Sequence, residues 1–389
     1  MPDTFPEKDR GSKRYYLSEA SLLRWLEVPS VYNVKTDELY EVDERGFSFL
    51  QGCASEEGCY SNDPDFIHFC LQENILGTVK VPLRDCIIRR SPVPSLRYLE
   101  LLVTDRCNLR CRHCYIGEPE FHDLPFDAVK VLLEEFHAIQ GLRVLVSGGE
   151  PLLYRDFGEL NSFFETYPPR KVLLSNGTLL TGERLRGLNV EEIQISIDGI
   201  DASHDSIRGE GSYGKAMQGL QEAVNAGFDV SVSTMIHPMN LEDFEEMEGI
   251  FREMGVREWT VDVPCTSGRM EKNRGLCLPP ETAGRYLRYG YGGGFHGGGD
   301  GYACGLHLAS VLPDGRVAKC AFYADRPVGH ISEGLETCWK RIEPLKLTEL
   351  SCDCDDIEIC RGGCRYRAEL MGDPLGKDIF KCSAFRDER

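Results

Sequence analysis

The chain has 389 residues, with 44 Lys and Arg against 63 Asp and Glu, and a formal net charge of −19. That length predicts two or three domains, each able to bury its own core, and the 41% hydrophobic and 28% charged fractions are those of a globular rather than a disordered chain. So negative a balance argues against nucleic acid or an anionic membrane as the main partner. No stretch approaches the ~20 apolar residues of a membrane span, and the charged start, residues 1–14, has no apolar signal core, which predicts a cytoplasmic protein.

In chain order, residues 13–90 predict a small α+β unit. Leu22, Leu23, Trp25 and Leu26 suggest a first short element, residues 31–35 and 38–42 read as strands around a Thr36-Asp37 turn, and residues 66–73 read as a helix ending near Gly77. Pro82, Pro92 and Pro94 then punctuate a boundary. From 96 to 263 strand and helix alternate. Strand candidates are 98–103, 143–147, 171–174, 192–197, 229–235 and 258–263, and between them lie amphipathic runs such as 126–139, 213–226 and 241–254. Six β/α repeats with short turns imply parallel strands and right-handed crossovers. The fold class is therefore α/β, a partial or full barrel of the (β/α)6 kind, whose chemistry would sit at the C-terminal strand ends. Residues 264–303 form a bridge that contains the glycine-rich run 290–300. This run lacks the Gly-Lys-Ser/Thr ending of a phosphate loop. Residues 304–389 form a Cys-rich, loop-rich domain.

Seventeen cysteines in a chain without an export signal are read first as metal ligands or reactive thiols and only second as disulfides. The sharpest group is Cys107-Asn-Leu-Arg-Cys111-Arg-His-Cys114, directly after the first barrel strand. Three thiolates at this spacing can hold an iron–sulfur cube and leave one iron open. The alternative is a structural zinc site with a distant fourth ligand, a role for which His113 is poorly placed beside Cys114. The next strand ends in Ser147-Gly148-Gly149-Glu150-Pro151, where the glycines admit a close ligand and Glu150 can accept from an ammonium group. The third ends in Ser175-Asn176-Gly177-Thr178. The fourth ends in Ile195-Ser196-Ile197-Asp198-Gly199 and is followed by Arg208. Singly these are turn residues; in register with a cysteine triplet they ring one mouth.

Over about 96–263 these residues resemble the radical S-adenosylmethionine (SAM) superfamily. The resemblance implies an enzyme with a 4Fe-4S cluster on Cys107, Cys111 and Cys114. The open iron would bind SAM, whose reductive cleavage yields a 5′-deoxyadenosyl radical that abstracts hydrogen. By the same resemblance, Gly148, Gly149 and Glu150 would lie at the methionine amino group and Ser196 and Arg208 at its carboxylate, for which the Arg fork is suited. Asn176 would lie toward the ribose, and His113 stands where the family usually has an aromatic residue near the adenine. A flavodoxin or ferredoxin would be the reductant.

The C-terminal pattern, Cys304, Gly315, Cys320, Cys352, Cys354, Cys360, Cys364 and Cys382, resembles the auxiliary-cluster domain called SPASM. That resemblance implies two further 4Fe-4S clusters, one on Cys304, Cys320 and Cys364 and one on Cys352, Cys354, Cys360 and Cys382. The chain departs from the pattern twice. Only Asp353 separates Cys352 from Cys354, where the family has two residues. Gly298 stands where fully ligated members carry a cysteine, so the first cluster has an open iron or recruits Cys277 or Cys265. The alternative for the region is a pair of zinc sites. Cys53, Cys59, Cys70, Cys86, Cys265, Cys277 and Cys338 otherwise read as small buried hydrophobes.

Residues 13–90 resemble the recognition element of enzymes that modify ribosomally made peptides, which bind a leader peptide as an added strand on a sheet edge. The alternative is an unrelated cap. Together these features predict an oxygen-sensitive peptide maturase in which an auxiliary cluster takes an electron from the substrate radical or ligates a substrate thiolate, with thioether cross-linking the favoured outcome. The alternatives are action on a folded protein or a small cofactor precursor, as in sulfatase-maturing or tetrapyrrole-modifying relatives, and a non-catalytic metal-bound scaffold. Sulfatase maturation is disfavoured because Ala321, not an acidic residue, follows Cys320.

Overall fold

The computed structural model of the chain describes residues 13–82, 89–292 and 301–386; Cys86, Gly298 and most of the glycine-rich run lie outside the described residues. Two compact units, Met1–Arg90 and Ser91–Arg389, divide it.

The first unit holds strands β1 (Tyr16–Leu17), β2 (Ser21–Trp25), β3 (Pro29–Asn33) and β4 (Glu38–Glu41), helices α1 (Glu44–Cys53) and α2 (Pro64–Gln72), and strand β5 (Leu76–Gly77). β2, β3 and β4 form an antiparallel meander, and β1 pairs with β5. β3 ends earlier than expected because the Asn33 Oδ1 accepts from the Lys35 and Thr36 amides at 3.0 and 3.2 Å and turns the chain. Helix α1 was not expected, since Gly46 and Gly52 lower its local propensity. It forms because the Asp43 Oδ1 caps the Gly46 amide at 2.7 Å, and because Phe47, Leu50 and Cys53 bury against Leu23, Val31, Ile67 and Cys70. Pro64 opens α2, behind the Asp63 cap.

This core is self-contained, and Trp25 packs edge-on against Phe47 at 5.4 Å. A fragment of residues 1–90 is therefore expected to unfold cooperatively in urea when followed by Trp25 fluorescence. A gradual, featureless change would show that the core needs the rest of the chain.

The second unit begins with β6 (Tyr98–Thr104), α3 (Phe126–Ala138), β7 (Arg143–Gly148), α4 (Phe157–Phe164), β8 (Arg170–Ser175), α5 (Gly182–Leu185) and β9 (Glu192–Ser196). It continues with α6 (Ala202–Arg208), α7 (Ser212–Asn225), β10 (Asp229–Met235), α8 (Phe244–Glu253), β11 (Glu258–Asp262) and α9 (Pro280–Tyr286). The last elements are β12 (Leu308–Val311), β13 (Arg316–Ala318), β14 (Gly329–His330), α10 (Leu335–Trp339), α11 (Ile357–Cys360), α12 (Arg365–Leu370) and α13 (Ile379–Arg386). Among the described residues nine strands make one sheet in the order β11-β10-β9-β8-β7-β6-β12-β13-β14. β6 to β11 are parallel, as the alternating pattern predicts.

The Cys-rich segment, expected to form a domain of its own, instead extends this sheet. β12 lies parallel to β6, pairing Leu308 with Tyr98 through Val311 with Leu101, and β13 and β14 follow antiparallel. A four-residue strand among polar loops has no periodicity of its own to reveal it, and its partner lies at the far end of the unit. At the N-terminal strand ends the buried Arg170 pairs with Glu192 at 2.9 Å and Asp229 at 2.6 Å. That end is tied by charge, which leaves the C-terminal end for chemistry. Among the described residues no helix is long and apolar enough to cross a membrane.

Candidate active site

The loop that leaves β6 carries Cys107, Cys111 and Cys114 over the C-terminal strand ends, where a cavity of about 360 Å³ opens. The three cysteines line it together with His113, Gly148, Gly149, Asn176, Ser196 and Arg208. Cys320, just beyond β13, and Cys265, just beyond β11, lie on the same wall. Burial pushes the Cys111 thiol up to about 11, with Arg208 working against it. Among the described residues no three Cys, His, Asp or Glu side chains are gathered tightly enough to hold a single metal ion.

Glu150 is the predicted cofactor residue that the structure does not place on the cavity wall. Its carboxylate is fully buried and accepts from the Ser175 hydroxyl at 3.0 Å, the Asn176 amide at 2.9 Å and the Leu152 amide at 3.2 Å. Burial raises its pKa against these bonds. Gly148 and Gly149 line the cavity, and their missing Cβ atoms also answer to the protein's own backbone. A Cβ on Gly148, which sits at φ +136°, would lie 2.2 Å from the Thr104 carbonyl oxygen, and one on Gly149 would lie 2.3 Å from that of Arg106. The Gly149 amide donates to Thr104 O at 2.8 Å and the Glu150 amide to Arg106 O at 2.7 Å. This segment braces the root of the cysteine loop. Asn176 continues the bracing, donating to Asn108 Oδ1 at 2.9 Å.

Arg208, expected to offer its whole fork to a carboxylate, has its Nε engaged by Asp198 Oδ2 at 2.6 Å, while Nη1 approaches Cys111 Sγ at 4.0 Å. Asp198 is fully buried. Burial opposes its charge, but Arg208 and the histidines around it hold the carboxyl well below the usual range. Oδ1 accepts from the Met235 amide at 2.8 Å, and the Asp198 carbonyl accepts from His237 Nε2 at 2.7 Å and Asn240 Nδ2 at 3.0 Å. The Asp198 amide donates to His204 Nδ1 at 3.1 Å. His113 Nε2 stands 3.4 Å from Oδ2, and burial brings His113 down to about 4, so its ring is neutral at pH 7.

The C-terminal cysteines fall into two sets. Cys360 and Cys382 each lie within electrostatic reach of Cys352 and Cys354. Cys304, Cys320 and Cys364 are mutual neighbours, and Cys265 and Cys364 lie close enough to perturb each other's ionisation. The buried Asp378 accepts from the Cys364 amide at 2.8 Å and from Arg367 Nη2 at 2.8 Å, and Arg367 Nη1 reaches Asp262 at 2.6 Å. Aromatic rings connect the regions: Tyr115, next to Cys114, packs on Phe322 at 4.9 Å, and Phe322 stacks on Tyr366 at 5.4 Å. Glu100 lines the cavity and accepts from Ser310, and burial raises its pKa.

Sequence reasoning passed over Asp198, His204, His237, Arg367, Asp378 and the ring contacts. Asp198 was visible within the strand-end run, and each aromatic lies within two residues of a cysteine. His204, His237 and Asp378 carry no local signal.

A parallel sheet with a three-cysteine loop and a buried carboxylate–guanidinium pair at one cavity defines the partial-barrel α/β class of enzyme. The family profile described as "Radical SAM superfamily" matches residues 101–251. An AdoMet-dependent heme synthase of Nitratidesulfovibrio vulgaris is 30% identical over 184 residues, 45% of this chain and 50% of that protein. The chain thus spans about half the length of that relative. The enzyme of the same name from Methanosarcina barkeri is 27% identical over 344 residues, 76% of this chain and 98% of that one. The mycofactocin maturase MftC of Mycolicibacterium smegmatis is 30% identical over 317 residues, 72% of this chain and 81% of MftC. Among solved structures, Streptococcus suis SuiB bound to precursor peptide SuiA has the same fold, with TM-score 0.69 and 14% identity over 94% of this chain and 99% of SuiB. The chain belongs to the radical SAM superfamily and is an enzyme. Membership implies SAM and a 4Fe-4S cluster. The residues present fit both, since three thiols face one cavity and the buried His113 Nδ1 beside them has no hydrogen-bond partner.

Gly148→Ala is expected to destabilise the protein by on the order of 3 kcal/mol or more, because backbone strain and a carbonyl clash combine. Urea denaturation checks this, and a loss under about 1 kcal/mol would show that the Thr104 contact yields. His204 is brought down from 6.5 to about 4 by burial and Arg208. The unfolded chain therefore takes up the proton first, and stability falls as pH drops through that window. His204→Asn, which keeps an acceptor for the Asp198 amide, should flatten the decline in urea midpoint between about pH 6.5 and 4; an unchanged slope would remove His204 from that account.

Proposed function

We propose that this enzyme cleaves SAM reductively and modifies a ribosomally made precursor peptide in the cytoplasm. The observation that carries the reading is the single cavity that Cys107, Cys111 and Cys114 share with Cys320 and Cys265, in a fold matched along 94% of the chain by a protein solved with its precursor peptide. The 30% identity to a mycofactocin maturase supports it. Cys107, Cys111 and Cys114 would hold the 4Fe-4S cluster. When bound there, the cluster would pass one electron from a flavodoxin or ferredoxin to the sulfonium of SAM, which would supply methionine and a 5′-deoxyadenosyl radical for hydrogen abstraction.

The chain's own residues orient that chemistry. Arg208 would turn the guanidinium edge away from Asp198 toward the methionine carboxylate while Asp198 fixes its Nε, and Ser196 lines the same cavity. The Gly149 segment borders the amino group, with Glu150 acting behind it as a positioning residue. Neutral His113 offers a flat ring to the adenine, and Asn176 lies toward the ribose. Cys304, Cys320 and Cys364, and separately Cys352, Cys354, Cys360 and Cys382, would hold two auxiliary clusters. In the first unit the edge of β4 would receive the leader peptide beside Tyr40 and the exposed Phe69, whose rings meet at 5.4 Å. A cross-link such as a thioether is the outcome this arrangement suits. A second reading, modification of a tetrapyrrole, is favoured by the heme synthase matches.

Anaerobic reconstitution is expected to yield about twelve irons and twelve sulfides per chain for three cubes; zinc without sulfide would refute the assignment. Cys111→Ala should abolish 5′-deoxyadenosine formation under reducing conditions, and its persistence would place the reactive cluster elsewhere. An added iron porphyrin that is consumed with 5′-deoxyadenosine formation would move the substrate to the second reading.

A further inference from the structure

Seven C-terminal cysteines leave one cluster a ligand short, and either Cys265 or Cys277 could complete it. Cys277 packs against Ile207, Met270 and Leu276, and the one charged group acting on it is Arg274. Cys265 is 4% exposed, lines the cavity with Cys320 and neighbours Cys364. The juxtaposition is enforced. Arg367 on α12 bridges Asp262, at the end of β11, and Asp378, which also holds the Cys364 amide. That clamp brings Cys364 to the end of the barrel strand from which Cys265 hangs. A thiol serving only as a hydrophobe would sit among apolar side chains, whereas Cys265 sits between charged groups and a second sulfur.

Resting on the auxiliary-cluster reading above, we infer that Cys265 is the fourth protein ligand of the cluster on Cys304, Cys320 and Cys364. Every iron of that cluster then carries a protein sulfur, and none is left to bind a substrate thiolate. One corner of the auxiliary cluster is thereby anchored to the barrel itself.

The test uses the full chain with Cys107, Cys111 and Cys114 all replaced by Ala, reconstituted anaerobically and reduced, with ¹³C-cyanide as the probe ligand. This parent should hold about eight irons and show no ¹³C coupling in its electron paramagnetic resonance spectrum. Cys265→Ala should expose an iron and develop that coupling, or lose about four irons with its circular dichroism unchanged, while Cys277→Ala behaves as the parent. Cys265→Ser, which keeps the volume and offers an oxygen, should retain about eight irons with a shifted spectrum. Equal cyanide coupling in the parent, or spectra and iron content indifferent to both Cys265 substitutions, would overturn the inference alone. A parent that holds no iron would overturn the auxiliary-cluster reading itself.

Discussion

The active end of this protein depends on one buried charge. Asp198 stands at the end of β9 without access to water, where an unpaired carboxylate would be prohibitive, so every polar atom of the residue has to find a partner. Those partners come from four places: Arg208 on α6, the end of β10, the polar turn that follows it, and His113 within the cysteine loop. Satisfying one carboxylate therefore fixes where the loop lies over the sheet and which way the guanidinium points. A guanidinium held on one edge still presents its other edge, so the pair both supports the cavity and leaves a cation facing it.

The second constraint is steric. Gly148, the last residue of β7, and Gly149 after it allow that strand end to press against the carbonyls of residues 104 and 106, and the same contacts hold the root of the cysteine loop. A glycine-rich strand end can admit a ligand, and here it also admits the chain's own backbone. Glu150, which looks like a ligand contact by its position, reaches sideways to Ser175 and the Asn176 amide and keeps two neighbouring strand ends in step.

How much of this was legible follows from where each signal resides. The barrel strands and the longer helices announce themselves because period and length are local properties, and the cysteine triplet because its three ligands lie within eight residues. Helix α1 escaped because two glycines masked a pattern that only packing against β2 and β3 rescues. β12 escaped because its evidence is a partner strand rather than a periodicity. The polar residues behind the site, His204, His237 and Asp378, escaped for a similar reason. A buried hydrogen bond is a relation between distant positions, and neither end of it is unusual alone.

The pairing of β12 with β6 bears on how the protein is made. The first barrel strand leaves the ribosome with one edge bare, and the strand that covers it is not synthesised until the rest of the barrel has emerged. Until then the sheet presents an open edge beside the root of the cysteine loop. Completion of the sheet and delivery of Cys320 to the cavity are a single late event, so the nascent barrel must be kept from pairing with other strands until the segment after it has emerged.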